Sequence, residues 1–595
     1  MCDQYVYDMS TANEMTESIM LRRDWISILD QMNTNYASSQ SILDTSQLSN
    51  SSKWMSYGES MFVVPLCMTL TSDGAGAFNG VGTAPDLQVG LKSWFGNIVH
   101  SITVDLAGTT IIMQIPYSNL YNSFKLMASL DLNSVLNMGP TIGFYPDDPL
   151  SVGFSPVAGT SPRVNADGLF VGIGSCNNNN VFKPTLTAPY QGGTVAADTT
   201  SVAPISNNGL WNEGFLKRQQ YYNLNILGNA GGVDAGSANS VLVGALIPPN
   251  SLNTSYKSYI QNVTVNTWQV GFTAIIYLKH LHSFFKEVPL TKGLFFRITM
   301  NLNQSIMKFT TANGVNATPT YPSLVVNSIN TSFGGSSLLQ LSALQQKAIN
   351  GAATSFTAFP PGVYELSLCV GRKSIYSQQV QTTMSNTDGS IHLNIPSYVF
   401  SPLFEAAYLS NNIKKIVYKD IYQYLVPKVG ADSNINSLIT NGIASIANVI
   451  AVPFYSTTAN GNINPIQSPF DNTGAGNTSP YCYLGNFQYV ISGSNAIYST
   501  ERYTYEQFCQ QLSGLYSING NMSDGLMSGL ISKQGFEQNL CYYAVDCGRA
   551  LAIEKTVPKS INLQAQNLSG KEIDVYIFVE YHTSVSIDLL SGARV

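Results

Sequence analysis

The residues best suited to metal chemistry are two histidines, His280 and His282, which lie two positions apart. On a β-strand this spacing places both imidazoles on one face, where a transition metal could bind them. Such a site needs three or four ligands, and no nearby cluster of Cys, Asp or Glu completes this one. We therefore interpret both histidines as structural and predict no metal site.

Three further motifs contain residues that bind cations or phosphates in other proteins. Asp147 and Asp148 precede a proline, but a calcium loop needs several more oxygen ligands in a short run, so we predict a turn. The glycine-rich segment 74–82 lacks the G-x-G-x-x-G spacing of a phosphate-binding loop and does not open a helix. In residues 569–572 a Gly-Lys pair is followed by Glu rather than Ser or Thr, which favours a hairpin turn.

The sequence contains no motif for nucleophilic catalysis. Residues 172–175 (GIGS) do not match the G-x-S-x-G elbow of the serine hydrolases. Two carboxylates that cleave a glycoside come together only in the folded chain, so a β-sandwich glycosidase stays an alternative. The missing motifs favour a protein that is not an enzyme, with no catalytic residue, no cofactor-binding residue and no cofactor.

The charge composition argues against nucleic acid as a specific partner. The net charge is −6, and the nearest approach to a basic arm, Arg22-Arg23, is followed at once by Asp24. Charged residues make up 11% of the chain, against roughly 25% in an ordinary soluble protein. A surface made polar by uncharged side chains repels copies of the same chain only weakly, which suits dense self-packing.

The sequence shows neither an export signal nor a membrane span. Asp3 and Asp8 stand where a secretory signal needs a basic region, and no apolar region follows. The longest apolar stretch, residues 443–454, is interrupted and shorter than the ~20 residues that a span requires. The eight cysteines lack C-x-x-C spacing, so we expect reduced thiols and synthesis in a reducing compartment.

Two stretches of the chain repeat one pattern, with Pro453 lying 388 residues after Pro65. Apolar residues alternate around each proline, a hairpin signal follows, and an amphipathic helix comes next. The helix stripes are Leu120, Phe124, Met127 and Leu130 in the first copy and Tyr505, Phe508, Leu512 and Leu515 in the second. We infer two fused copies of one β-domain.

The pattern divides the chain into an arm and two domains. Residues 1–54 form the arm, in which helical spacing predicts a helix near 16–32. The first domain covers 55–430 and carries two long irregular insertions, about 131–257 and about 305–357, the second with a helix at 337–349. The second domain covers 431–595. Further strands are predicted at 267–278, 294–303, 362–372, 390–400 and 414–429.

The clearest strand signal lies near the end of the second domain. Residues at odd positions from 573 to 581 are apolar, and those at even positions are mostly polar, with Tyr576 and Phe578 as exceptions. Many short strands, a helix after the hairpin and large insertions favour a jelly roll over an immunoglobulin-like sandwich. We predict an all-β fold, a double jelly roll of two fused eight-stranded antiparallel β-sandwiches with short helices and long loop insertions.

Several extended segments carry a family resemblance that runs from about residue 60 to the C-terminus. They are 97–111 (NIVHSITVDLAGTTI), 280–303, 395–426, 468–480 (SPFDNTGAGNTSP) and 503–514 (YTYEQFCQQLSG). Together they resemble the major capsid proteins of virophages, the Sputnik type in particular. The resemblance implies a double jelly roll, three copies in a capsomer of pseudo-sixfold shape, and insertions that form an outward tower and trimer contacts.

The same resemblance implies partners and a location. The partners would be further copies of the chain, vertex or penton proteins and minor capsid proteins, with no catalytic or cofactor motif. The protein would be made and assembled in the host cytoplasm and reside in the virion. Two alternatives stand beside this hypothesis. One is a glycan-binding β-rich adhesin or attachment protein, which needs an export route, and the other is the glycosidase, which needs convergent acids.

Overall fold

A computed structural model describes a chain that is mostly β-sheet. The described residues are 19–49, 51–72, 87–113, 115–147, 214, 217–222, 259–262, 267–312, 323–343, 362–371, 373–374, 389–456, 476–479, 482–496, 503–516, 529–547, 557–591 and 594–595. Within them, every strand pair but one is antiparallel. No disulfide joins the six described cysteines.

We call the part of the chain that holds the first eighteen strands the first unit. Its strands are β1 (Met20–Leu29), β2 (Asn35–Tyr36), β3 (Gln40–Asp44), β4 (Trp54–Met55), β5 (Met61–Ser72), β6 (Leu87–Leu91), β7 (Val99–Leu106), β8 (Thr109–Ile112), β9 (Gln219–Tyr222), β10 (Tyr259–Asn262), β11 (Thr267–Tyr277), β12 (Phe296–Leu302), β13 (Ser305–Ala312), β14 (Ser323–Thr331), β15 (Leu339–Ala343), β16 (Gly362–Val370), β17 (Lys373–Ser374) and β18 (His392–Phe400).

The second unit holds the remaining strands. They are β19 (Ile413–Val429), β20 (Asn434–Ile443), β21 (Ile446–Tyr455), β22 (Leu484–Ile491), β23 (Ser494–Asn495), β24 (Tyr543–Asp546), β25 (Lys559–Asn567) and β26 (Ile573–Asp588). The helices of the described chain are α1 (Ser118–Ser129), α2 (Leu132–Ile142), α3 (Leu278–Leu281), α4 (Ser283–Glu287), α5 (Pro402–Leu409), α6 (Tyr505–Tyr516) and α7 (Lys533–Gln538). Short 3-10 turns lie at Ser46–Leu48, Tyr57–Glu59 and Phe95–Ile98.

The second unit consists of two four-stranded sheets. Their strand orders are β19-β26-β21-β24 and β20-β25-β22-β23. When the eight strands of this unit are numbered one to eight in chain order, the first sheet contains strands one, eight, three and six. The second sheet contains strands two, seven, four and five. The sheets face each other, because the rings of Phe487 on β22 and Tyr543 on β24 lie 4.8 Å apart and the Tyr543 hydroxyl accepts a 2.8 Å hydrogen bond from the Leu484 N–H.

Eight strands of the first unit follow the same order. β1, β18, β5 and β11 pair in that sequence in one sheet, and β3, β12, β7 and β8 do so in another. The other strands are additions to this scheme. Strands β16, β13 and β14 extend the first sheet along the far half of β5, and β15, β6 and β9 form a small sheet of their own.

The strand ends from which the long connections of both units leave lie at one end of the molecule. In antiparallel sheets, alternate connections emerge at the same end, which groups those after β5, β8 and β12 with those after β21 and β23. At this end the Leu530 N–H donates to the Met127 carbonyl (2.8 Å), and at the opposite end the Lys292 N–H donates to the Leu589 carbonyl (3.2 Å). The units therefore stand side by side with the same orientation.

The predicted repeat elements are confirmed. The two proline-containing segments form β5 and β21, and each predicted amphipathic helix is present, as α1 and α6. Each of these helices follows a hairpin, β7–β8 or β22–β23. The strands predicted at 267–278, 294–303, 362–372, 390–400 and 414–429 correspond to β11, β12, β16, β18 and β19.

The helix predicted near 16–32 is wrong, because residues 20–29 form β1. Its apolar residues do follow helical spacing, but hydrogen bonding to β18 along the whole strand outweighs that local signal. Residues 20–44 are consequently not an arm, since β1 and β3 are the first two strands of the first unit.

Other predictions fail for the same reason, namely pairing between distant segments. Residues 339–343 are a strand paired with β6 rather than part of a helix, and the stretch 305–357, expected to be irregular, contains β13, β14 and β15. Strand β19, assigned to the first domain by the boundary at 430, pairs with β26 of the second unit. The turn at 569–572 connects β25 to β26 in the opposite sheet, so it is not a hairpin. Most of 131–257, the whole of 74–82 and 172–175 lie outside the described residues.

Candidate functional site at the junction of the two units

The two histidines first considered as metal ligands pack against aromatic residues of the core instead. Residues 278–281 are helical, so the expectation that both imidazoles share a strand face is wrong. The His280 ring lies edge-on to Trp94, with 6.1 Å between centroids, and burial lowers the pKa of His280 to about 4. The Phe284 N–H donates to His282 Nδ1 (3.2 Å), so Nε2 carries the proton and points at Asp420 Oδ1, 3.2 Å away.

No described cluster of side chains has the composition of a metal centre. Among the residues that the structure describes, no group of three or more His, Cys, Asp or Glu side chains could hold a metal ion. Asp147 is paired with Arg218 (2.5 Å), and its neighbour Asp148 lies outside the described residues. None of the described helices is both long enough and apolar enough to cross a membrane.

The most elaborate buried arrangement is the junction between the two units. One face of the sheet β19-β26-β21-β24 covers the opposite sheet of its own unit, and the other face lies against the first unit. Ring centroids across the junction lie 5.0 Å apart for Tyr117–Tyr576, 5.6 Å for Tyr121–Phe578 and 4.3 Å for Phe124–Tyr542. Helix α1, between β8 and β11, supplies Tyr121 and Phe124 of this seam.

The junction explains the two exceptions in the alternation of β26. Tyr576 and Phe578 occupy the face that was expected to be polar, and both are buried because this face lies against α1. The next residue on that face, Glu580, is only 3% exposed. The part of the second face of β26 from Tyr576 to Glu580 is thus a buried contact face, and the buried carboxylate of Glu580 needs compensating partners.

Glu580 is the centre of a polar cluster drawn from both units. From the first unit, the Tyr121 hydroxyl donates to Glu580 Oε1 (2.7 Å), and Lys125 Nζ lies 3.8 Å from the same oxygen. From the second unit, Lys419 Nζ donates to Oε2 (3.1 Å), and the side-chain amide of Asn448 donates to Oε2 as well. Both carboxylate oxygens are therefore hydrogen-bonded, and two lysines share one acid.

The electrostatics of this cluster keep Glu580 ionised. Burial by itself would raise the pKa of the carboxyl, but the nearby Lys125 and Lys419 ammonium groups and the hydrogen bonds outweigh burial and lower it to about 2. Burial lowers the pKa of Lys125, an effect that Glu580 partly offsets. The cluster thus places one carboxylate and two ammonium groups within the junction. Removing any one of these charges would leave the others less well compensated.

A second polar contact fastens β19 to the connection between β11 and β12. Asp420, 6% exposed, accepts a hydrogen bond from the Tyr581 hydroxyl (3.0 Å) and faces His282 of the first unit. The Tyr418 hydroxyl donates to the Ile111 carbonyl (2.7 Å), and its ring lies 5.0 Å from that of Phe284. These contacts orient one unit against the other in more than one place.

The close backbone approach at the long-loop end gives a testable prediction. Gly529 has φ +63°, and a Cβ added there would lie 2.4 Å from the carbonyl oxygens of both Met127 and Ala128. We expect Gly529→Ala to lower the free energy of unfolding by about 2 kcal/mol or more, because left-handed strain adds to the steric conflict. Denaturant unfolding of the purified variant measures the loss.

A matched control separates strain from close approach. Gly570 has a similar φ of +68°, but an added Cβ would meet nothing within 4 Å. Gly570→Ala should therefore lose only the cost of the left-handed backbone, about 1–2 kcal/mol. Equal losses for the two variants would contradict a tight contact between Gly529 and α1.

Sequence reasoning did not find this site, although one signal pointed to it. Glu580, Lys419 and Lys125 are far apart in the chain, and each looks like an ordinary surface residue in its own segment. The signal was the pair Tyr576 and Phe578, which gave β26 a second apolar face. The arrangement joins side chains of both units and so fixes the relative position of two β-rich units.

Comparisons with known proteins give similarities in structure but none in sequence. No protein-family model and no curated protein matches the chain. A chain in the 3.5 Å cryo-EM structure of the Sputnik virophage is similar at 9% identity and a TM-score of 0.44, covering 97% of this chain and 88% of that one. The mavirus major capsid protein (10%, TM-score 0.40, covering 99% and 94%) and the Faustovirus major capsid protein (11%, 0.42, 96% and 92%) are similar as well.

These similarities extend over nearly the whole chain and involve virophage and other viral major capsid proteins. Because the identities are only 9–11% and the TM-scores 0.40–0.44, the function has to be argued from this chain's own residues.

Proposed function

We propose that this protein is a non-enzymatic major capsid protein, a double jelly roll whose three copies form a pseudo-hexagonal capsomer of an icosahedral shell. The observation that carries the proposal is the strand order of the two units. Each places strands one, eight, three and six in one sheet and two, seven, four and five in the other. Two four-stranded antiparallel sheets that face each other are the arrangement of a jelly roll.

The way in which the units are joined supports the shell-building role. They stand side by side in one orientation, and buried contacts at both ends and in the middle hold them there. Three such pairs around a threefold axis would present six upright sandwiches, a nearly hexagonal prism that can tile a surface. A rigid junction matters for this, since a flexible one would not present a constant outline to neighbours.

The grouping of the long connections supports an inside and an outside. The longest connections of the first unit, those after β5, β8 and β12, leave the same end, which in a shell would be the outer tower, with insertions about 131–257 and 305–357 contributing to it. The opposite end has shorter connections and would face inward. A surface with few charges suits repeated contact between copies.

The proposal includes the partners and location that follow from such a role. The partners are copies of the chain within and between trimers, vertex or penton proteins and minor capsid proteins. Specific nucleic-acid binding is not part of the proposal, given the net charge of −6. The protein would be made in the host cytoplasm and reside in the virion.

Oligomeric state and particle formation test this function. Size-exclusion chromatography with light scattering should give three times the mass of the chain, and electron microscopy of concentrated protein should show shells or hexagonal arrays. Monomers or fibres that bind immobilised glycans would instead support the adhesin. Release of sugar from glycan substrates would support the glycosidase.

A further inference from the structure

Three side chains of the Glu580 cluster come from three strands of one sheet and share one face. Strand β26 lies between β19 and β21, and its Glu580 pairs with Ile421 on one side and with Asn448 on the other. Lys419 lies two residues before Ile421, so its side chain projects to the same face. An amine, an amide and a carboxylate are thus placed side by side within the junction.

One oxygen of the carboxylate contacts both of the other groups. Glu580 Oε2 accepts hydrogen bonds from Lys419 Nζ (3.1 Å) and from the side-chain nitrogen of Asn448. The second oxygen, Oε1, accepts a hydrogen bond from the Tyr121 hydroxyl (2.7 Å). A single atom that can take up and return protons therefore holds the two nitrogens next to each other, which is the position of a general acid-base group.

The charges of the cluster are not balanced. Lys125 and Lys419 bring two ammonium groups to one carboxylate, since Lys125 Nζ lies 3.8 Å from Glu580 Oε1. Lys286 and Glu287 also act on Lys125, but in opposite directions. A positive charge in excess is costly beside an acid that is only 3% exposed. A reaction that removes one ammonium group would leave one acid with one lysine.

Asn448 uses only one end of its amide. The residue is 2% exposed, and its oxygen, Oδ1, is buried without a hydrogen-bond partner in the described part of the chain. A buried asparagine with a purely structural role is expected to satisfy both ends, because an unpaired buried polar atom is destabilising. The contact with Glu580 is made through the nitrogen, the atom that leaves when an amine attacks an amide.

We propose that Lys419 and Asn448 form an intramolecular isopeptide bond, with Glu580 as the group that transfers the protons. The Lys419 ammonium gives a proton to Glu580 Oε2, and the free amine attacks Cγ of Asn448. A C–N bond forms, the bond from Cγ to Nδ2 breaks, and the departing nitrogen takes up the two protons that the lysine nitrogen releases. The products are a secondary amide and one ammonium ion, and Glu580 is returned as a carboxylate beside Lys125.

The bond would fasten the edge strand of this sheet. Strand β19 is outermost in the order β19-β26-β21-β24 and carries the Tyr418 and Asp420 contacts with the first unit. A link to β21 spans β26 and prevents β19 from separating. Amines are mostly protonated at neutral pH, so the reaction is slow, and newly purified protein is largely the unlinked chain with its ionised cluster. The inference goes beyond the capsid role and holds or fails independently of it.

Intact-mass spectrometry tests the bond. Native wild-type protein kept for days at about pH 9, where more of the amine is free, should lose the mass of one ammonia molecule. A tryptic digest should then contain a branched peptide that joins Lys419 to the segment with Asn448. Lys419→Arg keeps the positive charge and should show no loss. Lys533→Arg, at an exposed lysine, is the matched control and should react like the wild type.

The rate of linking tests the role of the acid. We expect Glu580→Gln to form the branched peptide about a hundredfold more slowly or less, because the proton transfer is removed. Circular dichroism of the same sample shows whether the fold is kept. A wild-type mass that stays at the value of the sequence would overturn the bond, and a branched peptide that contains Lys125 would overturn the choice of lysine. An unchanged rate in Glu580→Gln would overturn the role given to the carboxylate.

Discussion

Replacing Glu580 with alanine is expected to lower the free energy of unfolding by about 3–5 kcal/mol. Glu580 is 3% exposed and compensates Lys125 and Lys419, so its removal leaves two ammonium groups without their acid. The Tyr121 hydroxyl and the Asn448 amide also lose their acceptor. Denaturant unfolding of wild type and variant at neutral pH measures the difference.

Two controls show whether the loss comes from buried, uncompensated charge. Glu506→Ala breaks an exposed ion pair with Lys533, whose side chains are 61% and 60% exposed, and should cost less than about 1 kcal/mol. A triple variant, Glu580→Leu with Lys125→Met and Lys419→Met, removes all three charges and should recover most of the loss. A triple variant as unstable as Glu580→Ala would show that the ion cluster is not the cause.

The cluster also bears on why the units hold a constant relative position. Apolar seams such as Tyr121 against Phe578 stabilise contact but tolerate small shifts, because dispersion is not directional. Hydrogen bonds to both oxygens of one carboxylate tolerate little displacement. The combination at Glu580 thus suits a junction that holds two units in one fixed geometry, as the shell-building role proposed above requires.

Elements with a regular row of apolar residues could be predicted from the sequence. The stripes of α1 and α6 and the alternation of β5 and β21 form such rows, which a period of 3.6 or 2 is enough to reveal, although every residue of β21 and most residues of α1 are buried. Strand β1 could not be predicted in this way. Its apolar residues fit a helix as well as a strand, and its structure depends on β18, which lies far along the chain.

The junction could not be predicted because it joins residues that no local pattern links. The sequence pattern of β26 shows which face is apolar and which is polar. It does not show whether a polar residue on that face is in water or is buried against a neighbouring unit. Glu580 belongs to the second kind, and its partners Tyr121 and Lys125 come from the other unit. Similarly, His280 and His282 have the spacing of metal ligands on a strand. Residues 278–281 are helical instead, and His282 faces Asp420 of the second unit.

The stability contributed by Glu580 should disappear in acid. Its pKa in the folded protein, about 2, lies below the ordinary value of 4.5, so the unfolded chain takes up the proton first as the pH falls. The contribution is complete above about pH 5, decreases below that and is lost as the pH falls through about 2; a shift of this size corresponds to about 3 kcal/mol. Comparing the unfolding free energies of wild type and Glu580→Gln across this range isolates the effect, because other carboxylates titrate alike in both proteins. Their difference should shrink steadily with acidification, and a difference that stays constant from neutral pH to about pH 3 would mean that Glu580 is not held ionised by its lysines.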